Sequence, residues 1–309
     1  MLTLVTGVSG YVGSALVARL QRDGLAVRGF ARSRERVDRA GALPDELVLG
    51  DVTTGEGLAA ALEGVHVAYY LIHSMEGAAA GAFADAERRS AERFAAAAAA
   101  AGVTRVVYLG GLVTGDAPLS RHLGSRLAVE RELLDAVPGS VALRASIVIG
   151  ARSRSFRFLV RLIERMPVMA LPAWRDNRTA PIDGRDVLEF LAAAAGAPAA
   201  LGGRSWDIGG PDVMTYAAMI ARIADALMLR RPSLSIDFSM TPVASVVAAA
   251  IAGEDPALIG PLMESLEHDL LPREGEDAAA AFGVRLHGFD AAVERALRDW
   301  ERTEELAGR

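Results

Sequence analysis

The stretch that most constrains this chain is Met1–Ser14, MLTLVTGVSGYVGS. Leu2–Val5 is an apolar run of strand length. Thr6-Gly7, Gly10 and Gly13 come next, and Ala15–Leu20 continues with helical spacing. A buried strand that breaks at glycine and reopens as a helix suits a dinucleotide. Gly7 permits a sharp turn, Gly10 lets backbone approach a pyrophosphate, and Gly13 lets the helix pack closely on the strand. The helix N-terminus adds unpaired N–H groups and partial positive charge for the phosphates. The contacts assigned on this basis are Gly7, Ser9, Gly10, Tyr11, Val12 and Gly13. The spacing is G-x-x-G-x-x-G, so the flanking strand and helix carry the inference against a glycine-rich turn of some other α/β protein.

The residues just after the second strand, Ala26–Ala31, discriminate between cofactors. An acidic side chain there would select the ribose 2′-hydroxyl of NAD. This chain instead has Arg32-Ser33-Arg34-Glu35-Arg36. A guanidinium pairs with a 2′-phosphate through charge-assisted, fork-like hydrogen bonds. NADP(H) is therefore favoured over NAD(H), with Arg32 as the main contact and Ser33 and Arg34 as helpers. The competing explanation is a solvated, basic helix start.

Strands and helices alternate onward. Leu47–Val52 is the third strand, bringing Asp51 and Val52 toward the adenine. Val65–Ile72 is the fourth, bringing Leu71, Ile72 and His73 toward the ribose and nicotinamide, although a lone histidine at a strand end is more often structural. Val103–Leu109 is the fifth and runs into Gly110 and Gly111; Val141–Ile149 is the sixth. Helices are expected at Leu58–Leu62, Ala82–Ala101 and Leu119–Ala136. This alternation predicts an α/β fold of Rossmann type, a doubly wound parallel sheet covered on both faces, with ligands at the carboxyl ends of the strands.

The second half is less regular. Helices are expected over Ser153–Met166, Val187–Ala195 and Thr215–Met228, and strands over Ser205–Ile208 and Leu234–Phe238. Residues 1–150 form the nucleotide-binding part, with 180–210 completing the sheet, and 151–179 and 211–309 form a smaller, mostly helical region over the substrate. Asp186 is placed as the N-cap of the helix that begins at Val187. Arg152, Arg154 and Arg157 lie near the expected cleft, as anion ligands or as exposed helix charges. Glu264, Glu267, His268 and Asp269 lack an ordered zinc pattern and fit a solvated helix face, so no metal is expected. The polar tail Glu301–Arg309 is expected to fray.

Composition narrows the function. Lys and Arg number 33 against 39 Asp and Glu, a net charge of −6, which argues against a nucleic-acid binder. The absence of cysteine excludes disulfides and thiolate chemistry and suits a reducing cytoplasm. No basic n-region or cleavage site precedes the first strand, so no signal peptide is expected. The longest apolar runs, Ala95–Ala101 and Val243–Ala252, fall well short of the roughly 20 residues that span a bilayer, and no membrane partner is expected. The expected partner is a small-molecule substrate, and the expected state a monomer or homodimer.

With the TGxxGxxG turn, the strand–helix alternation, the VVYLGG strand and the PIDGRDV segment in view, the chain resembles the short-chain dehydrogenase/reductase superfamily over nearly its whole length. Its best-known members carry Tyr-x-x-x-Lys on the helix after the fifth strand, with a serine upstream. Here that helix carries His122 and Arg126, one turn apart on one face. This is similar to an atypical subgroup with His-x-x-x-Arg in that place, and also to NmrA-like proteins. The resemblance implies hydride transfer between NADP(H) and a small carbonyl or hydroxyl compound, with His122 as proton donor. Arg126 then gives electrostatic support, since a guanidinium keeps its proton. Alternatives are a cofactor-retaining epimerase or isomerase and a non-catalytic dinucleotide sensor. The upstream serine has no evident counterpart: Gly110-Gly111 occupies the strand end, Ser120 and Ser125 are merely nearby, and Tyr108 belongs to the core.

Overall fold

A computed structural model describes residues 1–72, 80–113, 121–235, 265–273 and 277–304, with Gly260, Met263 and Leu306. The first half alternates without interruption: β1 (Leu2–Thr6), α1 (Tyr11–Arg22), β2 (Ala26–Ala31), α2 (Arg34–Ala40), β3 (Glu46–Leu49), α3 (Leu58–Leu62), β4 (Val67–Tyr70), α4 (Ala80–Ala100), β5 (Arg105–Gly111), α5 (Arg121–Ala136) and β6 (Val141–Ala145). Next are β7 (Val148–Ile149), α6 (Arg154–Arg165), β8 (Met169–Leu171), β9 (Arg178–Thr179), β10 (Ile182–Asp183), α7 (Gly184–Ala195) and β11 (Arg204–Ile208). The last elements are β12 (Met214–Thr215), α8 (Tyr216–Ala226), β13 (Ser233–Ser235), α9 (Ala278–Phe282) and α10 (Phe289–Glu301).

Seven strands form one sheet in the order β11-β6-β5-β4-β1-β2-β3, and every pairing within it is parallel. Such a sheet needs apolar residues on both faces of its central strands. β4 meets that demand with all four residues, Val67-Ala68-Tyr69-Tyr70, buried. Tyr69 packs in the layer that holds α1 and α7, whereas Tyr70 packs with α3 and α4 on the opposite face. The expected doubly wound α/β architecture is therefore present. Among the described residues no helix is long and apolar enough to cross a membrane.

A third core lies between α6, α8 and α10 and contains Phe156, Ile223, Phe289 and the fully buried Trp300. Its attachment to the sheet runs through α7. The Asp183 side chain is fully buried and caps α7 by accepting from the Arg185 N–H at 2.8 Å. Its carboxylate also accepts from the guanidinium groups of Arg185 at 2.6 Å and Arg295 at 2.8 Å, the latter from α10. Asp183 is thus the N-cap, not Asp186. Asp186 lies in the first turn, fully buried, and accepts from the His287 backbone N–H at 2.8 Å. The two carboxylates share the segment, but Asp183 has extended backbone immediately before the helix, whereas Asp186 is already inside it.

Burial works against ionising Asp183, yet the hydrogen bonds from Arg185 and the charge of Arg295 outweigh it and hold the carboxyl below its ordinary range. A carboxyl depressed on folding stabilises the native state above its unfolded pKa and loses that contribution as pH falls through the folded one. Asp183→Asn is therefore expected to cost about 1–3 kcal/mol at pH 7 by removing the buried carboxylate that both half-exposed guanidinium groups share. Thermal melts from pH 7 down to pH 3 should show the gap from wild type closing only at the acid end. A gap that does not change with pH would assign the loss to packing.

Two other expectations need correction. The sixth strand does not run unbroken over Val141–Ile149: it leaves the sheet after Ala145, and β7 pairs with β10 instead. The tail does not fray at Glu304, which accepts from Trp300 Nε1 at 2.9 Å and from Arg157 at 3.0 Å. The Trp300 N–H, and then Arg157, lower the Glu304 carboxyl to about 2. Leu306 beyond it is buried in the third core.

Candidate cofactor and substrate cleft

A cleft of about 1080 Å³ opens along the carboxyl ends of the strands and continues into the third core. The glycine turn forms one wall. Gly7 has φ +64°, and a Cβ there would lie 2.5 Å from the Leu71 carbonyl oxygen. Gly10 N–H donates to Gly7 O at 2.8 Å, closing the turn. Gly10 is also the N-cap of α1, and having no side chain it leaves the first-turn N–H groups open to a ligand. A Cβ on Gly13 would come 2.3 Å from Gly7 O, so only glycine lets the helix start this close to the turn. Thr6 secures the base: its hydroxyl donates to Tyr69 O at 2.9 Å and accepts from Leu71 N–H at 3.2 Å. This bare, donor-rich turn fits a pyrophosphate.

Tyr11 has a second role that its place in the motif does not disclose. A Cβ on Gly150 would lie 2.0 Å, and one on Gly184 2.3 Å, from its hydroxyl oxygen. The ring is a peg from the glycine turn into a slot at the start of α7, and those two glycines exist to admit it. Burial raises the pKa of this hydroxyl.

Beyond β2 the structure rearranges the expected basic contacts. Arg32 lines the cleft, but Ser33 and Arg34 do not. Ser33 is the N-cap of α2, its hydroxyl accepting from the Arg36 N–H at 3.4 Å. That cap sets the helical phase, so Arg36 and Arg39 face the cleft instead. Arg39 pairs with Glu35 at 2.6 Å. The guanidinium groups of Arg32 and Arg36 make no hydrogen bond or ion pair among the described residues, and no carboxylate stands at the end of β2. Asp51 and Val52, just past β3, line the cleft as well, and Asp51 accepts from Thr53 N–H and Oγ1, each at 2.8 Å.

At the other end, Leu71, Ile72, Gly110, Gly111 and Arg126 line the cleft. A Cβ on Gly110 would press on the Tyr108 ring at 3.0 Å, and one on Gly111 would meet Leu123 at 3.2 Å, so the strand end is kept bare by packing. Tyr108 is buried, as expected of a core residue, and its hydroxyl donates to the Arg126 carbonyl at 3.3 Å. Ser125 is turned away, donating to the buried Glu87 of α4. His122 stands in the first turn of α5, four residues before Arg126. His73, Ser120 and the His122 side chain lie outside the described residues.

A hydroxyl overlooked in the sequence comes from Ser146, which lines the cleft after β6 and lies 3.1 Å from the Thr179 hydroxyl. Its signal is a polar residue at a strand end, concealed because Ser146-Ile147-Val148-Ile149 prolongs the apolar pattern. Arg152 and Arg154 also line the cleft, whereas Arg157 pairs with Glu304. Asp269 is not on a solvated helix face: it accepts from the Arg178 N–H at 2.6 Å and side chain at 2.9 Å. No metal-ligand cluster occurs among the described residues.

The glycine turn at the carboxyl edge of a parallel sheet is the arrangement in which dinucleotides are bound. Residues 7–139 match the model of a family described as NAD(P)H-binding. A subunit of mitochondrial NADH dehydrogenase (ubiquinone), 1 alpha subcomplex subunit 9 of Arabidopsis thaliana, is 24% identical over 251 residues, or 79% of this chain; the match spans only 62% of that relative's length. The (4-alkanoyl-5-oxo-2,5-dihydrofuran-3-yl)methyl phosphate reductase of Streptomyces griseus is 28% identical over 306 residues, covering 96% of this chain and 95% of its own. A short-chain dehydrogenase/reductase superfamily protein from Agrobacterium tumefaciens, solved with NAD bound, superposes with a TM-score of 0.71 over 98% of each chain at 21% identity. The expected fold is borne out: the chain has the Rossmann-type α/β fold with a parallel seven-stranded sheet that these solved structures share.

Proposed function

We infer that the protein is an NADP(H)-dependent oxidoreductase that interconverts a carbonyl and a hydroxyl group on a small molecule. The observation that carries this reading is the pair of uncompensated guanidinium groups, Arg32 and Arg36, at the end of β2, where a carboxylate would select NAD. The similarity to a reductase along nearly the whole chain supports the direction of carbonyl reduction.

In this reading the turn from Gly7 to Gly13 holds the pyrophosphate on its N–H groups, and Arg32 and Arg36 hold the 2′-phosphate. When bound, the reduced nicotinamide supplies the hydride that reaches the carbonyl carbon. His122 gives the proton that the substrate oxygen requires, and Arg126 stabilises charge developing on that oxygen. Ser146 offers a further hydroxyl along the cleft.

Fluorescence titration with NADPH and NADH tests the assignment. NADPH should bind more tightly, and Arg32→Ala or Arg36→Ala should each weaken it by about tenfold to a hundredfold, the worth of a hydrogen bond between charged groups. NADH binding should barely change. Equal losses for both cofactors, or a preference for NADH, would overturn the NADP(H) assignment.

A further inference from the structure

Past the end of β5 the cleft enters the third core, and its walls change character. Phe158 and Leu159 of α6 and Met219 and Ile220 of α8 line it there. Trp174 and Tyr216 complete this end, their rings in edge contact at 6.1 Å. The polar atoms of these two residues, Nε1 and the hydroxyl oxygen, are sealed from solvent. The cleft therefore meets ring carbon at both positions. Arg154 and Ser155, one turn earlier on α6, also line the cleft, so the apolar stretch of that helix begins at Phe158.

Walls of this kind discriminate. A sugar or nucleotide placed here would leave its hydroxyls without partners, a penalty incurred for each buried group. A hydrocarbon chain loses no hydrogen bonds and gains from every methylene withdrawn from water. We propose that this half of the cleft seats an aliphatic chain, so that the substrate is a carbonyl compound bearing an alkyl or acyl segment of medium length. The identity of the reacting end rests on the hydride-transfer reading above; the seat itself does not.

The test uses the full chain and the straight 2-alkanones from butanone to decanone. Tryptophan emission reports binding with and without NADPH, and NADPH oxidation reports turnover of the same compounds. Affinity should rise about three- to fourfold per added methylene until the chamber is filled. The emission change should vanish in Trp174→Phe, which keeps Trp206 and Trp300, while the chain-length trend persists in turnover. Leu159→Asp, at a half-buried position, should flatten the trend and leave NADPH titration intact. A flat series in the unaltered protein, with NADPH still bound, would overturn the proposed seat. Chain-dependent binding without any NADPH oxidation would uphold the seat and overturn hydride transfer. Oxidation of NADPH by short ketones alone would do the reverse.

Discussion

Gly13→Val is expected to abolish NADPH binding, with the dissociation constant rising at least about a hundredfold. A Cβ at this position would fall 2.3 Å from Gly7 O, 2.9 Å from Gly7 C and 3.1 Å from Val8 Cα. All three are backbone atoms, so no side-chain rotation relieves the overlap. Either α1 moves away from the turn or the turn opens. Both displace the N–H groups that would face the phosphates, and the second also disturbs the Gly10 N–H to Gly7 O bond. Loss of close packing between α1 and the sheet should lower the melting temperature as well. Gly124→Ala supplies the comparison: a Cβ there meets nothing within 4 Å, so it should bind NADPH normally and gain about 0.5–1 kcal/mol from helix propensity. Circular dichroism confirms that each variant is folded before titration. Wild-type affinity in folded Gly13→Val would show that the turn does not hold the cofactor.

His122→Ala is expected to reduce kcat by about 10² to 10⁴, the range for a positioned proton donor, while NADPH affinity stays within about twofold. The distinction from a surface histidine lies in the pH profile. An imidazole that donates a proton makes carbonyl reduction fall as pH rises through its titration, and that break should disappear in the variant. Arg126→Ala should lower kcat/KM and keep the break, moved to higher pH because the neighbouring positive charge that disfavours the imidazolium is gone. Unchanged kcat in His122→Ala would show that the proton comes from another group.

The nucleotide-binding half was legible because its signals are local. Each strand is a short apolar run, each helix has its own period, and the glycine turn lies within one stretch of chain. Errors arose where one residue set the phase for others. Ser33 caps α2, and that alone turns Arg36 toward the cleft and Arg34 away. Asp183 and Asp186 are both acidic residues near a helix start, and backbone conformation decides which one caps. The seat in the third core was not legible, since Phe158, Trp174 and Met219 come from separate elements and meet only on folding. The polar composition of the tail hid the Trp300–Glu304 bond for the same reason.

The return of the chain to its first sheet limits how such a protein can be divided or recombined. β11 pairs with β6 along five residues, from Arg204 opposite Val141 to Ile208 opposite Ala145, and α7 joins α1 through the Arg19–Glu189 pair. The intervening segment is consequently an insertion and not an appendage. A fragment ending at residue 150 would lose an edge strand and a covering helix together, exposing the ladder groups of β6 to strand exchange with a neighbour. New substrate preferences in this scaffold are accordingly better sought by grafting α6 or α8 between its fixed anchors than by swapping a detachable module.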